Sequence, residues 1–133
     1  MHECHLKTHR RVEMIDVTRE VQEEVRRRNL RDGLCVVYCP HTTAAITVNE
    51  AADPDVARDI EMALERLAPL RGNYAHAEGN SDSHIKTALL GPSQTLIVAD
   101  GRLVLGRWQG IFFCEFDGPR DRCFYVKILP DNS

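Results

Sequence analysis

The segment from residue 73 to residue 91 carries the side chains in this chain that are best suited to chemistry. It contains two histidines, His76 and His84, separated by small and polar residues, and an apolar-periodic segment follows. This order predicts a loop that leads into a helix, whose first backbone N–H groups have no partner within the helix. Imidazoles beside such a helix end can bind a metal ion, and the helix end itself favours an anion.

A third histidine, His41, comes directly after a predicted buried strand and Pro40. Neutral imidazole is the commonest metal ligand in proteins, and three of them leave one position of a zinc ion open for water or substrate. The spacing of His41, His76 and His84 matches no local zinc motif. On spacing alone, hydrogen-bonded or solvated loop histidines are the simpler interpretation.

Charged residues near the end of the chain form a second candidate cluster. Glu115, Asp117, Arg120 and Arg122 flank a predicted turn, and turn formation alone explains Asp117 at the start of Asp-Gly-Pro-Arg. In the functional interpretation, Arg120 holds a phosphate or carboxylate with its planar guanidinium. Glu115 then orients a ligand histidine or accepts a proton. The local sequence favours the turn over these functions.

Other polar and aromatic residues have two interpretations each. Thr42 and Thr43 follow His41, and their hydroxyls can bind an anion or cap a strand end. Trp108 lies in a strand-like run and is predicted to be a core anchor. The N-terminus is rich in possible metal ligands but is predicted to be frayed. These ligands are His2, Cys4, His5 and His9.

Length and charge limit the classes of function. The 133 residues predict one domain that spans residues 1–133, and the net charge of −3 gives no reason to expect a nucleic acid or an anionic membrane as partner. No apolar run approaches the roughly 20 residues of a membrane span. The first residues lack the basic start and apolar stretch of a secretory signal. Five cysteines, an odd number, predict reduced thiols in a cytoplasmic protein.

Hydrophobic periodicity predicts an α+β domain, with a largely antiparallel sheet and two main helices and one short helix packed on it. The first helix is predicted to begin near Thr18 and the second at Pro54, with Asp53 as its N-cap. The short helix is predicted over residues 83–90, with Ile85, Ala88 and Leu89 facing the core. Strands are predicted over residues 6–17, 34–39, 44–49, 95–99, 103–105, 108–116 and 123–129.

Three segments together resemble the YjbQ family, whose members are also described as secondary thiamine-phosphate synthases. The first segment is Pro-His-Thr-Thr-Ala-Ala-Ile-Thr-Val-Asn-Glu at residues 40–50, and the second is His-Ala-Glu-Gly-Asn-Ser-Asp-Ser-His-Ile-Lys at residues 76–86. The third runs from residue 93 to residue 111 and on into Glu-Phe-Asp-Gly-Pro-Arg at residues 115–120. The resemblance covers the chain from about residue 6 to residue 129, and three motifs in one order make it specific.

The resemblance implies an α+β homotrimer with sites near the subunit boundaries. It implies that His41, His76 and His84 together bind a divalent metal, zinc in preference to magnesium. It also implies a weak thiamine-phosphate synthase activity, which joins hydroxymethylpyrimidine diphosphate to thiazole phosphate and releases pyrophosphate. A three-histidine site suits zinc better than the oxygen-ligated magnesium that such syntheses commonly use. This mismatch favours another small phosphorylated metabolite as the main substrate.

These considerations define a set of candidate site residues and three hypotheses. The protein is an enzyme of this kind, a non-catalytic trimer that binds a metal or a small anionic metabolite, or a structural subunit with incidental histidines. The predicted catalytic residues are Glu115, Arg120 and Asp82, and the predicted substrate-binding residues are Thr42, Thr43, Asn80, Ser81 and Arg120.

Overall fold

The structure is a computed structural model that describes residues 1–132. These residues form eight strands and three helices, so the α+β prediction is confirmed. The helices are α1 (Thr18–Arg27), α2 (Pro54–Leu67) and α3 (Ser81–Leu90). The strands are β1 (His2–Lys7), β2 (Glu13–Asp16), β3 (Gly33–Tyr38), β4 (Ala44–Glu50), β5 (Ser93–Ala99), β6 (Arg102–Leu103), β7 (Gln109–Glu115) and β8 (Asp121–Pro130).

The strands form two antiparallel sheets instead of the single sheet expected. The larger sheet has the order β1-β8-β3-β5-β6, and the smaller has the order β2-β7-β4. β5 and β6 are joined by the predicted Asp100-Gly101 turn, in which both residues have the positive φ that this tight hairpin requires. The first long strand predicted from the sequence is in fact two, because β1 and β2 belong to different sheets.

The main core lies between the two sheets. Alternation in β3 turns Cys35 and Val37 inward, and they meet Phe124 and Val126 of β8. The smaller sheet contributes side chains from one face of β4 and β7, and α1 adds Val21 and Val25 from its apolar stripe. The residues of the smaller sheet are Ala44, Ile46, Ile111 and Phe113.

A second, smaller core covers the other face of β7, which is therefore buried on both sides. Helix α2 packs there through Leu64 against Phe112 and Cys114. Its start matches the prediction, since the Asp53 side chain accepts a hydrogen bond from the Asp55 amide and Pro54 is the first helical residue. Helix α1 begins at Thr18, as predicted, and its N-cap residue Val17 makes no side-chain cap bond.

Helix α3 is oriented opposite to the prediction. Its buried residues are the polar Asp82, Ser83, Lys86 and Thr87, whereas the side chains predicted to face the core are exposed. Ile85 is 39% exposed and Leu89 is 58% exposed. The periodicity of apolar residues was therefore read correctly as a helix, but the face that meets the protein interior is the polar one.

Two further expectations are wrong. The N-terminus is paired with β8 along its whole length from His2 to Lys7 instead of being frayed. Trp108 is 54% exposed in the turn before β7, where Arg107 stacks over its ring, so it is not a core anchor. Among the helices described, none is long and apolar enough to cross a membrane.

Candidate functional site

The two histidines of the 73–91 segment lie against each other. His84 is in the first turn of α3, His76 is in the loop before it, and their ring centroids are 5.6 Å apart at an angle of 79°. They border a shallow hollow of about 340 Å³, which is large enough for a small ligand. The hollow is also lined by Tyr74, Ala75, Ser81 and Ile85.

His41 lies elsewhere in the single chain. Its Nε2 is 3.1 Å from both the amide nitrogen and the carbonyl oxygen of Cys123 in β8, and the tautomer decides which of the two it bonds. Burial and the nearby Arg122 guanidinium lower the pKa of His41, so the neutral form that binds metals is favoured. Within residues 1–132 of one chain, no group of three or more His, Cys, Asp or Glu side chains is placed to hold a metal ion.

Asp82 is fully buried at the start of α3 and belongs to a charged network. Its two carboxylate oxygens accept hydrogen bonds from Arg11 at 3.0 and 3.1 Å, and one of them accepts a third bond from Lys86 at 3.1 Å. Lys86 also donates to Glu65 of α2 at 2.6 Å. Burial alone would raise the pKa of Asp82, but the bonds from Arg11 and Lys86 bring it below its ordinary value.

Glu115 is the centre of a second buried network. Arg122 donates to both of its carboxylate oxygens, one of them at 2.8 Å, and the Thr8 hydroxyl donates at 2.7 Å. Arg122 also donates to the Thr43 hydroxyl, so the ion pair connects β7, β8 and the segment before β4. Burial would raise the pKa of Glu115, but the hydrogen bonds from Arg122, Thr8 and the Asp117 amide lower it below its ordinary value.

Asp117 connects the final turn to the loop that precedes α3. Its carboxylate accepts hydrogen bonds from Asn80 at 2.9 Å and from Arg120 at 2.9 Å, and Arg120 also donates to its backbone carbonyl. Asn80 is the N-cap residue of α3 but makes no side-chain cap bond. The guanidinium of Arg120 is half exposed, so it can also reach an anion from solvent.

The structure thus divides the predicted site residues into two groups. Asn80, Ser81, His76 and His84 gather at the start of α3, and Arg120 is connected to them through Asp117. Glu115 and Thr43 belong to the other buried network with Arg122, next to the exposed Thr42 and the half-buried His41. The two groups are joined through the backbone of Phe116. Its amide donates to the Thr43 carbonyl, and its carbonyl accepts a hydrogen bond from the Ser83 hydroxyl.

Sequence reasoning missed the partners that hold Asp82. Lys86 follows it by four residues, the spacing at which a carboxylate and an ammonium meet on a helix, so this contact had a sequence signal. Arg11 is 71 positions away from Asp82, and no local pattern connects them.

Comparison with known proteins places this architecture among homologues of closely similar length. The family described as "UPF0047 protein YjbQ-like" matches residues 2–131. A UPF0047 protein of Methanocaldococcus jannaschii is 53% identical over 126 residues, which cover 95% of this chain and 91% of the relative. UPF0047 protein YugU of Bacillus subtilis is 49% identical over 125 residues, which cover 93% of this chain and 95% of the relative.

Solved structures agree with this result. A crystal structure of a YjbQ/UPF0047 family protein from Clostridium acetobutylicum has a TM-score of 0.96 at 53% identity and covers 97% of this chain and 100% of that chain. A YbjQ-like protein from Sulfolobus solfataricus has a TM-score of 0.94 at 31% identity, with coverages of 98% and 96%. The chain is thus an α+β protein, in which the described residues form two antiparallel sheets and three helices. The chain belongs to the YjbQ/UPF0047 family.

The buried pair of Glu115 and Arg122 generates a stability prediction. Glu115→Gln leaves the Arg122 guanidinium buried without a countercharge, and we expect a loss of roughly 3–5 kcal/mol in the free energy of unfolding, measured by urea denaturation at pH 7. Glu23→Gln is the control, because Glu23 pairs with Arg26 on the exposed face of α1 and should leave stability near the wild-type value. Equal stability of the two variants would contradict a stabilising role for the buried pair.

The same pair predicts a pH dependence. Because the pKa of Glu115 is lower in the folded protein, its contribution is present above the unfolded carboxyl pKa of roughly 4.3 and is lost as pH falls through the folded pKa. Urea denaturation of wild type and Glu115→Gln from pH 7 down to pH 2 should therefore show two curves that converge toward acid. A constant difference in stability over this range would show that Glu115 ionisation does not stabilise the fold.

Proposed function

We propose that this protein binds a divalent metal, zinc in preference to magnesium, through His76 and His84 together with His41, and that the site acts on a small phosphorylated metabolite. The observation that carries the proposal is the pair of adjacent imidazoles at the start of α3. A thiamine-phosphate synthase activity belongs to the proposal as a side reaction, in which a pyrimidine methyl diphosphate joins a thiazole phosphate and pyrophosphate leaves.

The donor chemistry suits zinc. His76 and His84 are two nitrogen donors on neighbouring positions, and a third imidazole gives the three-ligand arrangement that keeps a zinc position open. Magnesium prefers oxygen ligands, and the hollow beside the pair is bordered by few of them. Bound zinc would supply positive charge to stabilise a diphosphate leaving group.

The third ligand is proposed to come from another copy of the chain, because His41 is held against Cys123 and is not grouped with the pair in one chain. Two different apolar faces are exposed. On the open face of the larger sheet, Leu34 is cross-strand neighbour to Ile97 and Leu129, and all three are exposed. The other face is that of α3, with Ile85 and Leu89.

Two unlike apolar faces favour a ring over a two-fold dimer. A two-fold contact uses one face twice, whereas a head-to-tail contact joins one face to the other and closes as a ring when the rotation permits. The α3 face carries the His76–His84 pair, and the proposed homotrimer would bring a neighbour's sheet and its His41 toward that pair.

The residues around the pair are suited to phosphate. Arg120 is half exposed and can grip a phosphate with its planar guanidinium. The N-terminus of α3 lacks a side-chain cap, so the amide groups near Asn80 and Ser81 favour an anion. The exposed Thr42 would add a hydroxyl from the side of His41. These groups would bind and orient the substrate, and Arg120 would also stabilise charge on the leaving group.

A non-catalytic binding module is the second candidate, and one observation favours it. The carboxylates of Glu115 and Asp82 are both occupied by buried ion pairs, so neither is poised to exchange protons with a ligand in the single chain. The catalytic roles of Glu115 and Asp82 therefore stay predictions. Turnover separates the two candidates, since a panel of phosphorylated metabolites that gives thermal shifts but no product would support binding alone.

Replacing one ligand tests the metal site. We expect that His84→Ala loses stoichiometric zinc, measured by elemental analysis after mild purification, while its circular dichroism is unchanged. The matched control is His9→Ala, because the His9 side chain is exposed in the loop after β1 and should leave zinc content unchanged. Wild-type protein without zinc, or His84→Ala with a full complement, would refute the proposed site.

Mixing two inactive variants tests whether the site is shared between copies. His41→Ala and His84→Ala should each lack zinc, but trimers assembled from an equal mixture should regain about a quarter of the sites by random assortment. Each regained site combines His41 of one copy with His84 of another. Zinc that is absent from the mixture would show that His41 and His84 of one site come from the same chain, and zinc retained by His41→Ala alone would show that His41 is no ligand.

A further inference from the structure

The rotation of α3 about its axis is fixed by polar contacts. Apolar side chains normally set which face of a helix meets the core, but in α3 Ile85, Ala88 and Leu89 are exposed and only Leu90, at its last position, packs against a core. The buried face is held by hydrogen bonds and ion pairs, which demand defined distances and angles. His84 is on this helix, so whatever fixes the rotation of α3 also fixes the direction in which the His84 side chain leaves the helix.

Asp82 is the residue on which these contacts converge. It precedes His84 by two positions, is fully buried, and receives a two-pronged hydrogen bond from Arg11 in the segment between β1 and β2. Lys86, only 1% exposed, connects it to Glu65 of α2. The first turn of α3 is therefore tied to two other elements through one carboxylate.

We infer that the Arg11–Asp82–Lys86 network is a positioning device that holds the His84 imidazole against that of His76. Asp82 acts through the backbone of α3 and is a positioning residue that touches no ligand itself. The part of this inference that concerns metal affinity rests on the proposed function, whereas the part that concerns ring geometry does not.

Arg11 is the residue of the network best suited to substitution, because its side chain is partly exposed. The Arg11 side chain is 31% exposed, so Arg11→Gln should fold, yet it removes the two-pronged bond to Asp82. Arg10→Gln is the matched control, because the neighbouring Arg10 pairs with Glu61 at 3.8 Å and does not reach Asp82. The control for Asp82→Asn is Asp55→Asn. Both aspartates are the second residue of a helix, but the Asp55 side chain is exposed.

The first readout needs no metal. Nuclear Overhauser effects between the ring protons of His76 and His84 report the ring contact in the metal-free protein. We expect them in wild type, Arg10→Gln and Asp55→Asn, and we expect them to weaken or disappear in Arg11→Gln and Asp82→Asn. Wild-type protein without the effects, or Arg11→Gln with undiminished effects, would overturn the inference.

The second readout is zinc affinity, measured by competition with a chromophoric chelator. Loss of a group that orients a ligand typically costs roughly 10–100-fold, and we expect a decrease of that size in Arg11→Gln with no change in Arg10→Gln. If wild type binds no zinc, the proposed function fails, but the nuclear Overhauser effects between His76 and His84 still test the positioning inference. If wild type binds zinc and Arg11→Gln binds it equally well, the inference fails and the proposed function stands.

A double variant separates positioning from general stability. Asp82→Asn leaves Lys86 short of a countercharge, and Asp82→Asn combined with Lys86→Gln removes both charges and should recover part of the lost stability. A positioning role predicts that the ring contacts and the zinc affinity stay reduced in the double variant. If both recover together with stability, Asp82 has only a structural role and the inference is wrong.

Discussion

Burial of charge is the constraint on which this structure depends. A buried carboxylate is tolerated only when cations and hydrogen-bond donors surround it. Glu115 and Asp82 are both fully buried, and each accepts hydrogen bonds from a basic residue nearby in sequence and from a donor in a distant part of the chain. Satisfying Glu115 brings together β7, β8, the end of β1 and the segment before β4, while satisfying Asp82 brings α3 onto α2 and the β1–β2 segment. The apolar cores stabilise the sheets, and the two acids decide how the connections between them are arranged.

The orientation of α3 explains why His84 lies at the surface, next to His76 of the preceding loop. The polar face of α3 is turned inward to meet its partners, so the opposite face presents apolar side chains beside the imidazoles. A helix with the usual amphipathic orientation would have buried Ile85 and Leu89 and left Asp82 in water. The same orientation thus places exposed apolar side chains beside the histidine pair.

The fold was largely predictable, and the exceptions have physical causes. Asp53-Pro54 and Asp100-Gly101 identified a helix start and a hairpin, because these short signals act through local geometry. The rotation of α3 was predicted wrongly, because periodicity reports that a helix has two unlike faces and not which one a distant arginine will contact. For the site, the adjacency of His76 and His84 followed from their loop-and-helix setting, whereas spacing alone gave no position for His41, whose ring contacts Cys123. The sequence does not reveal the division into two sheets, because pairing between strands from opposite ends of the chain leaves no local trace.

The Asp117 carboxylate, shared between Asn80 and Arg120, has a thermodynamic consequence. An anion that drew Arg120 away from Asp117 would free the carboxylate oxygen that Arg120 shares with Asn80, the N-cap residue of α3. Linkage is reciprocal. If a ligand that favours one arrangement of Asn80 changes the affinity of Arg120 for an anion, the anion changes the affinity of that ligand by the same factor. Such coupling would pass through the Asp117 side chain and would require no movement of the sheets.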